Sequence, residues 1–126
     1  MGAADHRVKA PVVDLAAETA AIIAELTAAG VRAVDDPRDA NPPCLLLRPP
    51  ELEFRFGKGA DATWNAWLLV PDAGRHQVLQ SLSQLIEDTQ AALGGRAVSA
   101  RPDDTQMPDG ATLPMYVLTW TSRINP

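Results

Sequence analysis

The sequence has little cysteine and histidine, the side chains that most often serve as nucleophiles, general bases and metal ligands. It contains one cysteine, Cys44, and two histidines, His6 and His76, in 126 residues. A single cysteine cannot form an intrachain disulfide, which favours a reducing compartment. One cysteine and two scattered histidines also lack the spacing of a zinc site. We therefore expect no metal site and no disulfide.

Basic residues and long apolar runs are also scarce. The formal net charge is -5, with 11 lysines and arginines against 16 aspartates and glutamates. Nucleic-acid-binding domains usually carry a basic patch, so this balance argues against specific DNA or RNA binding. No apolar run approaches the length of a membrane span, and the first residues carry no signal-peptide core. The 46% of hydrophobic residues is typical of one globular domain.

Catalytic patterns are missing as well. Cys44 lies within the apolar run CLLL, which is typical of a structural thiol rather than an activated nucleophile. No serine stands in a G-x-S-x-G elbow, and the GKGAD segment at 57–61 lacks the rest of a phosphate-binding loop. The adjacent aspartates at 35–36 and 103–104 are typical of turns. We predict no catalytic residues and no cofactor, and hence no enzymatic activity.

Two helices are expected. Residues 1–13 show no periodicity and predict a flexible N-terminal arm, followed by a single domain over residues 14–126. Asp14 is a typical N-cap, and the apolar stripe from Leu15 predicts a helix that ends at Gly30. Its other face is mostly alanine, which we attribute to composition; the alternative is a small-residue face that another subunit approaches closely. A second helix is predicted after residues 71–74, and its apolar stripe contains Val78, Leu79, Leu82, Leu85, Ile86, Thr89 and Leu93.

The remaining apolar segments predict strands joined by short connections. Residues 102–112, PDDTQMPDGAT, are expected to form a polar loop. The element order α-β-β-β-β-α-β-β then predicts an α+β fold, a mostly antiparallel sheet with two amphipathic helices packed on one face. The predicted strands are 31–34, 44–48, 51–56, 62–70, 97–101 and 113–124.

Aromatic residues in the strands indicate the core. Strand 62–70 places Trp64 on one face and Trp67 on the other, with apolar neighbours on both sides, so it is predicted to be central and covered on both faces. We expect Trp67 to be buried partly by a neighbouring subunit. Phe54 and Phe56 alternate with charged residues, which is typical of core positions.

The segment DPRDANPPCLLLRPP, residues 36–50, holds two proline pairs around one short apolar run. Proline fixes φ and removes a backbone donor. Loops held in this way lose less entropy on binding than flexible ones. We predict that the prolines preset the side chains of Asp36, Arg38, Asp39 and Asn41 for contact with another protein. The alternative is a tight connection in which Arg38 pairs locally with Asp36.

This segment is followed along the chain by the hairpin strand ATWNAWLLVPDAG, an amphipathic helix and the closing LPMYVLTWTSRI. In this order, the segments resemble those of the tail terminator (tail completion) proteins of long-tailed bacteriophages. The resemblance runs from about residue 15 to residue 124. It implies a compact α+β subunit that forms a ring, typically a hexamer, on the last ring of the tail tube. Such a ring stops tube polymerisation and presents the surface for head attachment, and the family has no catalytic residues.

The resemblance implies as partners other copies of the chain, the tail-tube protein and a head–tail connector protein. DNA would pass through the lumen without specific binding. The protein would be assembled in the host cytoplasm and reside in the virion, at the head-proximal end of the tail. The alternatives are a head-closure subunit, a non-phage oligomeric α+β binding module, and an enzyme whose site joins Asp36, Arg38 and His76 from different subunits.

The polar loop at 102–112 is a second candidate for docking. Asp103, Asp104 and Asp109 make it acidic, and loops on a rigid scaffold often carry binding surfaces. We predict that this loop or the proline-rich loop at 35–43 contacts the tail-tube protein or an adjacent subunit. Arg38 is the residue we expect to form a charge-assisted pair across that contact.

Overall fold

A computed structural model describes residues 13–55, 59–106, 110 and 112–125. These residues form two helices and one six-stranded sheet, which confirms the predicted mostly antiparallel α+β fold. Most of the predicted arm, together with Phe56 and Asp109, lies outside the described residues. The elements in chain order are α1 (Leu15–Ala28), β1 (Ala33–Val34), a 3-10 turn (Pro37–Asp39), β2 (Cys44–Leu47), β3 (Glu51–Phe54), β4 (Ala60–Leu69), α2 (Arg75–Ala92), β5 (Ala97–Gln106) and β6 (Thr112–Ile124).

Strand β4 lies at the centre of the sheet, as its two-sided apolar pattern predicts. The sheet order is β1-β2-β4-β6-β5, and β3 pairs with β4 on the side that β2 also uses. Leu47 lies opposite Ala66, and Glu51 lies opposite Thr63. The chain therefore advances four residues from β2 to β3 while β4 advances three, so one extra residue is accommodated between β2 and β3. Proline cannot donate to a ladder, and the pair Pro49–Pro50 occupies this bulge. Among the strands of the described residues, only the short β1–β2 pair is parallel.

The ends of α1 follow from its sequence. The Asp14 carboxylate accepts a hydrogen bond of 3.1 Å from the Ala17 amide, which confirms the predicted N-cap. Gly30 follows the helix with φ +89°, the left-handed conformation that glycine adopts at little cost. Leu26 is the fully buried residue of this helix. In α2, most of the predicted stripe faces the core, but Leu79 is 48% exposed.

The helices cover one face of the sheet, here called the helix face. Trp64 and Trp120 pack there with ring centroids 6.4 Å apart and planes 17° apart, and both are at most 1% exposed. The Trp64 indole donates a hydrogen bond of 2.9 Å to Ser122 Oγ. Leu26 and Leu93 also belong to this cluster. The helix face is therefore the main core of the domain.

The opposite face of the sheet, here called the second face, carries a smaller apolar cluster. Among the described residues no helix packs on it. Trp67 is half-buried at its margin, opposite to Trp64 as the alternation predicts. The buried members of the cluster are Cys44, Leu46, Leu69, Met115 and Val117.

Two sequence-based expectations are wrong. Residues 102–106 continue β5 instead of opening a loop, because the long partner strand β6 supplies a ladder that satisfies their backbone groups. The exposed side chains of Asp103 and Asp104 suit an edge strand that faces water. Phe54 is 70% exposed rather than part of the core. It ends β3 opposite Ala60, at the outer margin of the sheet, where neither helix covers it.

Candidate interaction surface

The proline loop, residues 35–43, is fixed first by an arginine that precedes β1. The Arg32 guanidinium donates a hydrogen bond of 2.6 Å to the Asn41 carbonyl and one of 3.3 Å to the Asp39 carbonyl. Both acceptors belong to the main chain, so the contact fixes the loop backbone and leaves the side chains of Asp39 and Asn41 exposed. Hydrogen bonds from a charged donor are stronger than neutral ones.

Asp36 organises the start of the same loop. Its carboxylate accepts a hydrogen bond of 2.9 Å from the Arg38 amide and so caps the 3-10 turn. It also accepts from the Arg38 guanidinium, at 3.1 Å from Nε and 2.7 Å from Nη2. These bonds lower the pKa of the Asp36 carboxyl from 3.8 to about 2. The local pairing of Arg38 with Asp36, one of the two sequence-based alternatives, is present.

The end of the loop closes over the second face of the sheet. Ala40 packs against the apolar cluster of that face, and Pro42–Pro43 is a cis peptide bond that leads into β2. Cys44 begins β2 and is completely buried. Burial raises the pKa of its thiol, which suppresses the thiolate that nucleophilic chemistry requires. The proline loop thus acts as a fixed cover whose outer side carries Arg38.

Trp67 and Arg48 form the margin of this cover. The Arg48 guanidinium carbon lies 4.8 Å from the centre of the Trp67 ring, a cation–π contact. Among the described residues, Arg48 forms no ion pair with a carboxylate. An arginine that stacks on an aromatic ring and keeps its charge unneutralised can still pair with an acidic or carbonyl group of another molecule.

Asp103 and Asp104 lie on β5, at the same end of the sheet as the proline loop. Cys44, Leu69, Met115 and Asp103 are successive cross-strand partners over β2, β4, β6 and β5. Asp103 therefore faces the second face, about 14 Å from Cys44 at the usual strand spacing. Asp104 is opposite Pro114 and points to the other face.

Beyond the end of β4, strands β5 and β6 continue as a two-stranded ribbon. The last residue of β4, Leu69, is opposite Met115, whereas residues 104–106 pair with residues 112–114 alone. An isolated two-stranded ribbon has little stability in water unless something packs on it. The ribbon and the proline loop project from one end of the sheet, and they make that end the candidate interaction surface.

The structure brings most of the predicted residues to this surface but divides their roles. Asp36 is occupied by Arg38, while Arg38 itself remains 87% exposed. Asp104 lies on the opposite side of the ribbon from Asp103. Asp109 lies outside the described residues.

Sequence reasoning missed the two arginines that organise the surface, Arg32 and Arg48. Arg32 precedes a two-residue strand and contacts a loop seven to nine residues later, and no local pattern marks such a contact. The alternation of apolar residues along β4 correctly predicted that the Trp67 ring lies on the second face. The same alternation could not predict that Arg48, on the neighbouring strand segment, contacts this ring. Only the pairing of β2 with β4 shows this neighbour.

The described residues contain no group of three or more histidine, cysteine, aspartate or glutamate side chains that could hold a metal. His76 is exposed on the first turn of α2, on the helix side of the sheet, whereas Cys44 is buried in the cluster of the second face.

No protein-family model matches this chain, and no curated protein matches it at a significant level. Within the described part of the chain, neither helix has the length and apolar character needed to cross a membrane. The resemblance to tail terminators thus rests on the residues quoted above.

Proposed function

We propose that this protein is a structural subunit of a bacteriophage tail, of the tail terminator kind. In this role it forms a homo-oligomeric ring, with six copies as the family resemblance implies, on the end of the tail tube. The ring stops tube polymerisation and offers its other side to a head–tail connector protein. The protein acts by binding alone, without catalysis or a cofactor, in the virion at the head-proximal end of the tail.

The observation that carries this proposal is the prearranged proline loop. Arg32 holds its backbone, Asp36 caps its turn, and Ala40 anchors it on the second face. A loop fixed in this way presents Arg38 with little conformational entropy left to lose. Terminators must dock repeatedly on identical tube subunits, and a preset surface suits that task.

Charge distribution is consistent with a ring through which DNA passes. The net charge of -5 leaves no general attraction for phosphate groups. Arg32 donates to two main-chain carbonyls of the proline loop, and the Asp36 carboxylate balances the charge of Arg38 beside it, although the Arg38 guanidinium stays exposed. DNA then passes without specific binding.

The proposal is tested by complementation of a phage or prophage that lacks this gene. We expect Arg38→Ala to give overlong tails or tails without heads, since the exposed guanidinium is removed from the docking surface. Normal tail length and full plaque yield from Arg38→Ala would contradict a docking role for the loop. Negative-stain microscopy of the purified protein checks the ring itself, and a monomer at all concentrations would contradict ring formation.

Two variants serve as matched controls. Asp36→Asn keeps an oxygen that can cap the turn but removes the carboxylate that pairs with Arg38. Arg55→Ala removes another exposed arginine that pairs with an aspartate, Asp61, beside the β3–β4 hairpin at the opposite end of the sheet. We expect both controls to complement. If the single variants Asp36→Asn and Arg38→Ala both failed to complement, the loss of function would be assigned to the local Asp36–Arg38 pair rather than to contact with a partner.

A further inference from the structure

The outer edge of β3 turns two successive residues toward open space. The Arg55 amide donates to the Gly59 carbonyl at 3.0 Å. Because hydrogen-bonded and non-hydrogen-bonded pairs alternate along an antiparallel ladder, the other odd-numbered residues of β3 also bond to β4, whereas the amide and carbonyl groups of Leu52 and Phe54 point away from it. Among the described residues no strand pairs with β3 on that side, because β1 lies beside β2.

The side chains of β3 give this edge a defined chemical pattern. Glu51 and Glu53 are exposed on the second face, and neither forms an ion pair among the described residues. On the helix face, Leu52 is half-buried and Phe54 is 70% exposed, more than any other large apolar side chain in the described part of the chain. A strand that complements this edge is therefore basic on one side and apolar on the other.

The outer edge of β1 is shorter. Strand β1 has only two residues, and the Arg32 carbonyl before it accepts a hydrogen bond of 2.8 Å from the Leu45 amide of β2. The alternation counted from this bond also turns Val34 toward β2 and leaves Ala33 as the one residue of β1 that faces outward. Ala33 is itself buried. This edge offers an added strand one residue at most.

The outer edge of β5 is long but interrupted. The Arg48 amide donates to the Asn65 carbonyl at 2.9 Å, and the alternation counted from this bond across β4 and β6 turns Pro102 and Asp104 outward. Pro102 has no amide hydrogen, and the Asp104 amide already donates to the preceding carboxylate at 2.8 Å. Proline on an edge strand is a common protection against strand addition. An added strand would find fewer donors here than on β3.

We propose that the outer edge of β3 binds an extended segment of another protein as an added antiparallel strand. The backbone groups of Leu52 and Phe54 exchange hydrogen bonds with this segment, the mode in which sheet edges bind peptides. Its basic side chains lie opposite Glu51 and Glu53, and its apolar side chains lie beside Leu52 and Phe54 on the helix face. This inference is independent of the proposed role in a phage tail.

The charge of the protein favours a basic segment over an acidic one. The formal net charge of -5 attracts a basic partner over a distance, and the two glutamates of β3 then fix its register. The exposed Phe54 ring supplies the apolar contact, since aromatic side chains often contribute much of the binding energy at interfaces. The partner is thus specified by alternating basic and apolar residues.

A synthetic peptide tests the docking on the full-length protein. The probe has seven residues, alternating lysine and valine, and carries a fluorescent label for anisotropy titration. We expect it to bind and two matched peptides to fail, one with glutamate in place of lysine and one with N-methylated valines, which lack the amides that face β3. The methylated peptide keeps the charge, so equal affinity for it would show attraction by charge alone and overturn the proposal. Absence of binding by the unmethylated probe would overturn it as well.

Charge reversal locates the site. Glu51→Lys/Glu53→Lys should weaken binding of the lysine–valine peptide roughly tenfold, since two cross-strand pairs become repulsive, and it should bind the glutamate–valine peptide instead. The control is Glu87→Lys/Asp88→Lys, which changes the net charge equally at exposed positions of α2. Equal weakening by the two double variants would overturn the assignment to β3.

Hydrogen exchange identifies the edge residue by residue. We expect the amides of Leu52 and Phe54 to exchange rapidly in the free protein and roughly tenfold more slowly with saturating lysine–valine peptide. The Glu53 amide bonds to β4 and serves as the internal control. Slow exchange of Leu52 and Phe54 before any peptide is added would mean that the protein's own chain or a second copy occupies the edge, and it would overturn the assignment to a separate partner.

Discussion

Two tryptophans three residues apart on β4 show how differently the faces of the sheet are closed. Trp64 is 1% exposed beneath the helices, where it stacks on Trp120 and donates to Ser122. Trp67 points to the other face and is half-buried beneath the Arg48 guanidinium. The helix face is closed by two amphipathic helices, whereas the second face is closed by one loop and one long side chain.

The difference separates residues that serve the fold from residues that are available for assembly. The centre of the helix face, around Trp64 and Trp120, is already buried within one chain, so a partner adds little to it. The second face keeps an aromatic ring and a guanidinium that a partner can desolvate further, and tryptophan and arginine often dominate binding energy at interfaces. The predictions below test this division, from the largest expected effect to the smallest.

Removal of the helix-face tryptophan should have the largest effect. We expect Trp64→Ala to lower the free energy of unfolding by about 3–5 kcal/mol, the usual cost of truncating a buried aromatic side chain. Chemical denaturation monitored by far-UV circular dichroism measures it. A loss below about 1 kcal/mol would show that the helix face tolerates a cavity of this size and would remove the contrast between the faces.

Removal of the second-face tryptophan should affect assembly more than folding. We expect Trp67→Ala to lower the free energy of unfolding by about 1–2 kcal/mol, since the ring is only partly buried and the cation–π contact contributes about 0.5–1 kcal/mol. Size-exclusion chromatography with light scattering should show weaker oligomers. An unchanged elution profile together with a collapse of thermal stability would place Trp67 in the ordinary core.

Much of the fold could be predicted because its signals are local. The alternation in β4 placed Trp64 and Trp67 on opposite faces, Asp14 marked the start of α1, and Pro49–Pro50 marked the break between β2 and β3. Each of these features depends on neighbouring residues, which the sequence shows directly.

The failures concern features that depend on partners distant in the chain. The polar residues 102–106 are indistinguishable from a loop until β6 is known to extend beyond β4 and pair with them. Phe54 has the same alternation as a core residue, but no helix reaches the end of β3. At the candidate surface, the sequence predicted a preset loop, but Arg32 as its main-chain anchor became evident only from the geometry.

Cys44 tests whether the proline loop closes the second face continuously. The thiol is fully buried and its pKa is raised by burial, so we expect the native protein to resist thiol-specific labelling and to react after denaturation. Cys44→Ser should retain function and cost about 1 kcal/mol, because a small polar group replaces a small apolar one in a packed site. Rapid labelling without denaturant would show that the loop opens frequently.

The smallest effect is the titration of Asp36, which reports the geometry of the loop. Its carboxyl pKa is about 2, below the ordinary 3.8, chiefly because of the Arg38 guanidinium and secondly because of the Arg38 amide. A lowered pKa means that the pair contributes fully above about pH 3.8 and is lost as the pH falls through about 2. The pair therefore stays intact at every physiological pH.

Carboxyl-carbon NMR should follow this titration directly, with a midpoint near 2 for Asp36. Arg38→Ala removes the larger cause but keeps the amide at position 38, so the midpoint should rise and remain below 3.8. A midpoint near 3.8 in the unaltered protein would mean that the loop does not hold Asp36 and Arg38 together in solution. In that case the Arg38 side chain would have to become ordered when it binds a partner. Binding would then cost conformational entropy that a preset loop avoids.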